Sequence, residues 1–361
     1  VATAIRIEAL PARLGDCLLV ECLRPGAVPW RMLVDGGPSD TWPVLEARLA
    51  RLPEGARQID VAVVTHVDSD HIGGFLAFVR SDFAHDQVRD FWFNGRQHLE
   101  GVRSIEQGED LGAVLTGTTG GAVLPWNEAY GGQRIATTSD RLVEVSVPDD
   151  GPHITVLSPD ATRLGTLART WATVLKKARD GTREIGGPDR PRKLGDLEKL
   201  AAQHTPKDDS VPNGSSIGLL VEHRGASVVL AGDGFGDVLA DGLGAVAASR
   251  GVERLDIDAF KLPHHGSRGN VLARMLAAAP AQHYVFSSNG DTFHHPDDAA
   301  VARTVLAAPH GATLWFNYRN ARTERWAAAD LRKKHGYRVE YPADATAGAV
   351  LELPAGQSRM R

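Results

Sequence analysis

Two observations predict an α/β sandwich in which two sheets pack together and helices cover their outer faces. Short β-branched runs recur in both halves of the chain, and stretches of helical spacing separate them. A composition of 42% hydrophobic and 24% charged residues over 361 positions supplies a sizeable core and sets the chain apart from disordered sequences.

The elements follow in order. AIRIEAL (4–10) and CLLVEC (17–22) read as a strand pair around a turn from Pro11 to Asp16. RMLVDGG (31–37) is a third strand ending in a Gly-Gly turn, and residues 40–52 carry helical spacing. IDVAVVTH (59–66) is a continuous apolar run, hence a buried strand, and it stops at a polar cluster from which a helix begins at GGFLAFVRS. RDFWFNG (89–95) is another strand. In the second half, SSIGLLVEH (215–223) and ASVVLAGDG (226–234) form a hairpin around Arg224 and Gly225. IDAFKLPHHGS (257–267) runs into a His-rich turn, and HYVFSSNG (283–290) and ATLWFNY (312–318) are further strands. Helices fill 235–249, 270–279 and 297–308, and the strands of each half are expected to be mostly antiparallel.

Residues 100–210 differ. Apart from ITVLSP (154–159), strand signals are sparse, so this stretch reads as a large, mostly helical insertion in a single domain spanning 1–361. Its segment 176–193 holds seven basic and three acidic residues, and reads either as a solvated loop or as a mobile basic lid over an anionic substrate. Residues 319–361 read as a C-terminal extension. WFNYRNARTERW offers aromatics and arginines that suit base stacking, or else a strand followed by a solvated amphipathic helix.

Charge and cysteine content exclude several classes. A net charge of -5 argues against wrapping nucleic acid with the whole surface, while leaving room for a local basic groove. Two cysteines cannot build a disulfide framework. In a strand, the odd separation of Cys17 and Cys22 sends them to opposite faces, and they lack the spacing of a thiolate zinc site. The expected location is cytoplasmic, since the first residues carry no signal-peptide pattern and no run approaches 18 apolar residues.

The chemistry lies in the histidines. Six of 14 sit in three short motifs: His66 and His71, His264 and His265, His294 and His295. The first motif, Thr65-His66-Val67-Asp68-Ser69-Asp70-His71-Ile72-Gly73-Gly74, places four ligand-type side chains within six residues where a buried strand meets a helix. Imidazole nitrogens and carboxylate oxygens are the ligand set of Zn, Mn or Fe.

This motif resembles the H-x-[HD]-x-D-H signature of the metallo-β-lactamase-fold hydrolases. LVDGG, LAGD, KLPHHGS and the later His-His-Pro follow in that family's order. The last two resemble the branch that includes the hydrolase domain of the DNA-uptake protein ComEC/Rec2. The resemblance spans about residues 4–318. It implies a four-layer αββα sandwich with two divalent ions, Zn or Mn, along one edge. It also implies roles: His66 and Asp68 on the first metal, Asp70 and His71 on the second, Asp233 bridging, and Asp35 supporting from behind. His295, with His294 as alternative, completes the second site. His264 and His265, with Asp70, form the catalytic set, and one of the two histidines is a candidate ligand. Lys261 and Ser267 flank the His-rich turn as phosphate contacts, with Asn213 as a further substrate contact, or Lys261 is simply a strand-end lysine.

The chain departs from the family twice. Asp68 stands where histidine is commoner, which tilts the choice from Zn toward Mn. The third histidine of the first metal is missing from DDSVPNGSS (208–216), where Asp209, Asn213 or water takes its place; His153 and His204 are weaker candidates that otherwise read as surface residues. The implied reaction uses a hydroxide bridging the two ions, and the expected substrate is an anionic phosphodiester, either nucleic acid or nucleotide. A hydrolase of esters, lactones, thioesters or β-lactams is the alternative on the same fold. A metal-stabilised adaptor in a bacterial defence complex, or an enzyme with a protein partner, is the third. No membrane association is expected.

Overall fold

The structure, a computed structural model, describes residues 2–99, 106–179, 191, 193–344 and 346–356. Most of the basic segment 176–193 lies outside the described residues.

The strands in chain order are β1 (Thr3–Ala9), β2 (Leu18–Cys22), β3 (Trp30–Val34), β4 (Val61–Val63), β5 (Phe91–Trp92), β6 (Glu144–Ser146), β7 (His153–Ser158), β8 (Gly218–His223), β9 (Ala226–Leu230), β10 (Ile257–Lys261), β11 (Ala281–Phe286), β12 (Thr313–Phe316), β13 (Arg338–Glu340) and β14 (Ala349–Pro354). They form two sheets, in the spatial orders β14-β1-β2-β3-β4-β5 and β13-β12-β11-β10-β9-β8-β7-β6. Three apolar clusters correspond to the three interfaces of four layers. Ile5, Val20, Met32, Val63, Leu219, Val228 and Leu351 pack between the sheets. Leu33, Leu45, Ile72, Phe75 and Phe78 join the first sheet to its helices. Phe260, Leu243, Met275, Val301 and Trp326 do the same for the second. The predicted αββα sandwich is the observed fold.

The strands are less antiparallel than expected. β1, β2 and β3 pair antiparallel, as do β6 to β9, but β3-β4-β5 and β9 to β13 are parallel. The cause is the connection. A hairpin turn reverses direction, whereas Trp42–Ala50, Gly236–Ser249, Ala273–Ala278 and Asp298–Ala307 each insert a helix between consecutive strands. The stretch 100–210 is not helical throughout: it contributes β6 and β7, which extend the second sheet. The C-terminal stretch likewise contributes β13 and β14, and β14 pairs along β1, with Ile5 opposite Leu353 and Ala9 opposite Ala349. The amphipathic helix expected after Arg319 is broken into Ala321–Glu324 and Ala329–His335.

Cys17 and Cys22 are free and buried, in the helix-facing and inter-sheet clusters respectively. In the fully buried pair β2 and β3, Glu21 and Arg31 stand opposite each other, and their ion pair (2.7 Å) neutralises both charges. No helix among the described residues is long and apolar enough to cross a membrane.

Candidate metal centre

The site lies where β4, β9, β10 and β11 end, together with the loops after β1 and β3. β4 leads into Thr65 and His66. The helix Ser69–Val79 starts just past Asp68 and carries Asp70 and His71 in its first turn. It comes close enough because Gly74 packs on Gly36: a Cβ on Gly74 would meet the Gly36 carbonyl oxygen at 2.2 Å. β9 runs into Gly232, whose φ of +52° turns the chain to present Asp233.

Asp233 is the centre of the cluster. Its Oδ1 lies 3.3 Å from His71 Nε2 and 3.6 Å from His265 Nε2. Its Oδ2 lies 3.9 Å from His66 Nε2 and 3.8 Å from His264 Nε2. Asp68 Oδ2 is 3.6 Å from His66 Nε2, and Asp70 Oδ2 is 3.8 Å from His265 Nε2. The Nε2 atoms of His66, His71 and His265, and Asp233 Oδ1, are buried without a hydrogen-bond partner. Buried polar atoms are ordinarily satisfied, so four orphans pointing at one another fit a bound cation.

The opposite ring nitrogens explain the orientation. His71 Nδ1 donates to Asp35 Oδ2 at 2.8 Å. His66 Nδ1 donates to Thr65 Oγ1 (3.0 Å), which itself donates to Asp35 Oδ2 (2.8 Å). His265 Nδ1 lies 3.0 Å from Ser287 Oγ and 3.2 Å from Asp16 Oδ1. His264 Nδ1 lies 3.0 Å from Asn270 Oδ1 and 3.3 Å from Asp208 Oδ2. With every Nδ1–H engaged, each Nε2 carries the lone pair that a metal needs.

The electrostatics agree. Burial disfavours the imidazolium of His264, but Asp233 and Asp208 overcome it and hold the ring's pKa up at about 9. Burial likewise opposes charge on His71, and Asp233 and Asp35 reverse the sign, raising its pKa. For Asp233, burial pushes the carboxyl up, and His71, His265 and His264 outweigh it and bring it well below the usual range. A cluster that draws protons onto its imidazoles is one in which a divalent cation displaces those protons.

The structure places the remaining residues as follows. Asp35 is fully buried and holds both Thr65 and His71. His265 occupies the position beside Asp70 and Asp233 where the resemblance put His295. His295 lies one ring further out, 5.2 Å from His264, with Nδ1 3.6 Å from Asp297. Burial and the neighbouring charges of His264 and His265 push its pKa well down, so it stays neutral. His294 Nδ1 bonds the Gly290 carbonyl. Lys261 is not a phosphate contact: its side chain is 2% exposed and its ammonium is bound to Asp16. Asn213 is buried and donates to Asp208 Oδ2 at 2.7 Å, and Ser267 Oγ accepts from the Gly269 amide. Asn213 Nδ2 also lies 3.3 Å from His264 Nδ1, and its Oδ1 is buried without a hydrogen-bond partner. His153 pairs with Glu144 on the half-exposed edge of the second sheet, and His204 is exposed.

Sequence reasoning missed Asp16, Asp208 and Asn270. Asp16, His71, Asp233 and His265 have ligand-type atoms within 4.8 Å of one another. Asp16, however, is engaged by Lys261 and His265 Nδ1, so it orients His265 from behind, as Asp35 orients His71. A lone aspartate in a β-turn carries no signal of this role, because its partners lie about 250 residues away.

Residues 30–287 match the family model of the metallo-beta-lactamase superfamily, and the chain belongs to that superfamily. No curated protein matches it. Among solved structures, it is similar to CmlA, a diiron beta-hydroxylase from Streptomyces venezuelae (13% identity, TM-score 0.39), covering 98% of this chain and 55% of that one. This chain thus spans about half of CmlA's length. It is also similar to Zn(2+)-bound PqqB from Methylobacterium extorquens (12%, TM-score 0.36, covering 94% and 87%) and to a diphosphatase from the PhnP family (13%, TM-score 0.38, covering 97% and 98%).

Proposed function

We propose that the chain is a metal-dependent hydrolase of phosphodiester bonds in nucleic acids or nucleotides, akin to the ComEC/Rec2 branch, with two divalent ions, Zn or Mn. The observation that carries the metal reading is the convergence of four imidazole Nε2 atoms on the two oxygens of Asp233. Bound there, the ions would supply a water of lowered pKa and positive charge for phosphoryl oxygens. His66, Asp68, Asp70, His71, Asp233 and His265 would hold them. Asp35 and Asp16 keep the rings aimed, and Lys261 offsets the charge of Asp16.

An anionic substrate is favoured by the rim. The charge of Arg322 acts on both Asp297 and His295, and that of Arg268 acts on Asp297, so one cation borders the outer histidine and a second borders its neighbour Asp297. Neutral His295 is suited to a hydrogen-bond contact with substrate. Initial rates on bis-p-nitrophenyl phosphate and p-nitrophenyl acetate, with and without chelator, test the reading. Chelator-sensitive cleavage of the phosphodiester is expected. Cleavage of the ester alone moves the chain to the carboxylic-ester class, and a metal-loaded protein inert on both refutes hydrolysis of either bond.

A further inference from the structure

The resemblance leaves the first metal position one ligand short, and Asn213, at the expected place, commits its Nδ2 to Asp208 Oδ2 (2.7 Å) and lies 3.3 Å from His264 Nδ1, with its Oδ1 buried and without a hydrogen-bond partner. We propose that His264 fills that place, so that two consecutive histidines divide between the two ions. His264 joins His66, Asp68 and Asp233 Oδ2. His265 joins His71, Asp70 and Asp233 Oδ1. The assignment rests on the two-metal reading above.

Three observations support it. First, the arrangement is symmetric: each Asp233 oxygen faces two imidazole Nε2 atoms, at 3.3 and 3.6 Å on one side and 3.8 and 3.9 Å on the other. Ligand atoms about 2.0–2.2 Å from one ion at tetrahedral angles stand about 3.3–3.6 Å apart, so both sets are spaced to close on an ion with small adjustments. Second, His264 is braced like the others: Asn270 and Asp208 engage its Nδ1, and Asn270 and Asn213 in turn donate to Asp208 Oδ2 at 2.9 and 2.7 Å. A surface histidine has no need of such a frame.

Third, the backbone is bent to bring both rings to one side. Successive residues of an extended chain point oppositely, yet His264 (φ 47°, ψ 49°) and His265 (φ 52°, ψ 20°) both adopt the left-handed conformation. For non-glycine residues this costs on the order of 1 kcal/mol or more each. The result is that their Nε2 atoms reach different oxygens of the same carboxylate. The mid-chain histidines cannot substitute, since His153 is engaged by Glu144 and Ser146 and His204 is exposed.

The test is Zn²⁺ stoichiometry, by elemental mass spectrometry after gel filtration, with Co²⁺ absorption as a second readout. Wild type is expected to hold two equivalents. H264Q should hold one and lose the Co²⁺ bands of one site, H265Q should lose the other, and H153Q and H204Q should keep both. Asp208→Asn, which keeps every proposed ligand, should weaken only the first site, by about 10–100-fold. It decides the matter if H264Q does not fold. Two equivalents at wild-type affinity in H264Q, unchanged affinity in Asp208→Asn, or a single equivalent in wild type overturns the assignment. A wild type that holds two ions yet leaves phosphodiesters intact refutes the proposed function and leaves this assignment standing.

Discussion

Lys261→Met separates a structural lysine from a substrate-binding one. In the structure the lysine and Asp16 are 2% and 1% exposed, and their charges meet directly. Methionine preserves most of the volume and removes the charge, leaving Asp16 buried with His265 and no lysine. Breaking one side of a buried pair costs about 3–5 kcal/mol. With an unfolding entropy of about 2.1 cal/mol/K per residue, a chain of 361 residues loses about 1.3 °C of Tm per kcal/mol. The expected loss is therefore about 4–7 °C by calorimetry of the metal-free protein. Asp16→Asn combined with Lys261→Met removes both charges, and should be milder than the sum of the single changes by about 2 kcal/mol or more. A Tm within 1 °C of wild type, together with a raised KM for a phosphodiester, would refute the reasoning and return Lys261 to the substrate.

Four further outcomes follow from the structure. Asp35→Asn disturbs the acceptor shared by Thr65 and His71; Zn²⁺ affinity measured by chelator competition should fall about 10–100-fold, and an unchanged affinity would remove Asp35 from its supporting role. Burial depresses His98 to a pKa of about 4, so its imidazole stays neutral in the fold, while the unfolded chain takes up a proton near the ordinary 6.5. Its contribution to stability is present above pH 6.5 and is lost as pH falls toward 4. An NMR titration midpoint for His98 near 6.5 would contradict this. Gly74→Ala should lower Tm and weaken metal binding together, because its Cβ meets the Gly36 carbonyl oxygen. Gly244→Ala, in a helix with open space around it, should instead raise stability by about 0.5–1 kcal/mol.

Much of the site is readable in sequence because His66, Asp68, Asp70 and His71 are compact along the chain, and a strand end needs no distant information to bring them together. The ordering of the later histidines is not. Whether His264, His265 or His295 reaches Asp233 depends on two left-handed residues, a backbone choice that residue identity does not disclose. Asp16 is hidden for a different reason: its meaning comes from Lys261 and His265, which reach it only through the packed sheets. The apolar runs revealed the two sheets, but strand direction followed from the connecting helices. β6 and β13, three residues each and partly exposed, carry almost no pattern. β14 alternates clearly between buried and exposed positions, and a period-two reading of AVLELP finds it.

The pairing of β14 with β1 also bears on the order of events in folding. The first sheet, which carries the loop bearing Asp16, is closed by residues 349–354. Asn317 ties the same region, donating to the Leu10 carbonyl and accepting from the Ala349 amide. Contacts across more than 300 positions form slowly, since a long loop must close first. The edge holding Asp16 is therefore completed only after the last strand has been synthesised. Until β14 has emerged and paired with β1, the histidines and aspartates of the site lack that finished edge.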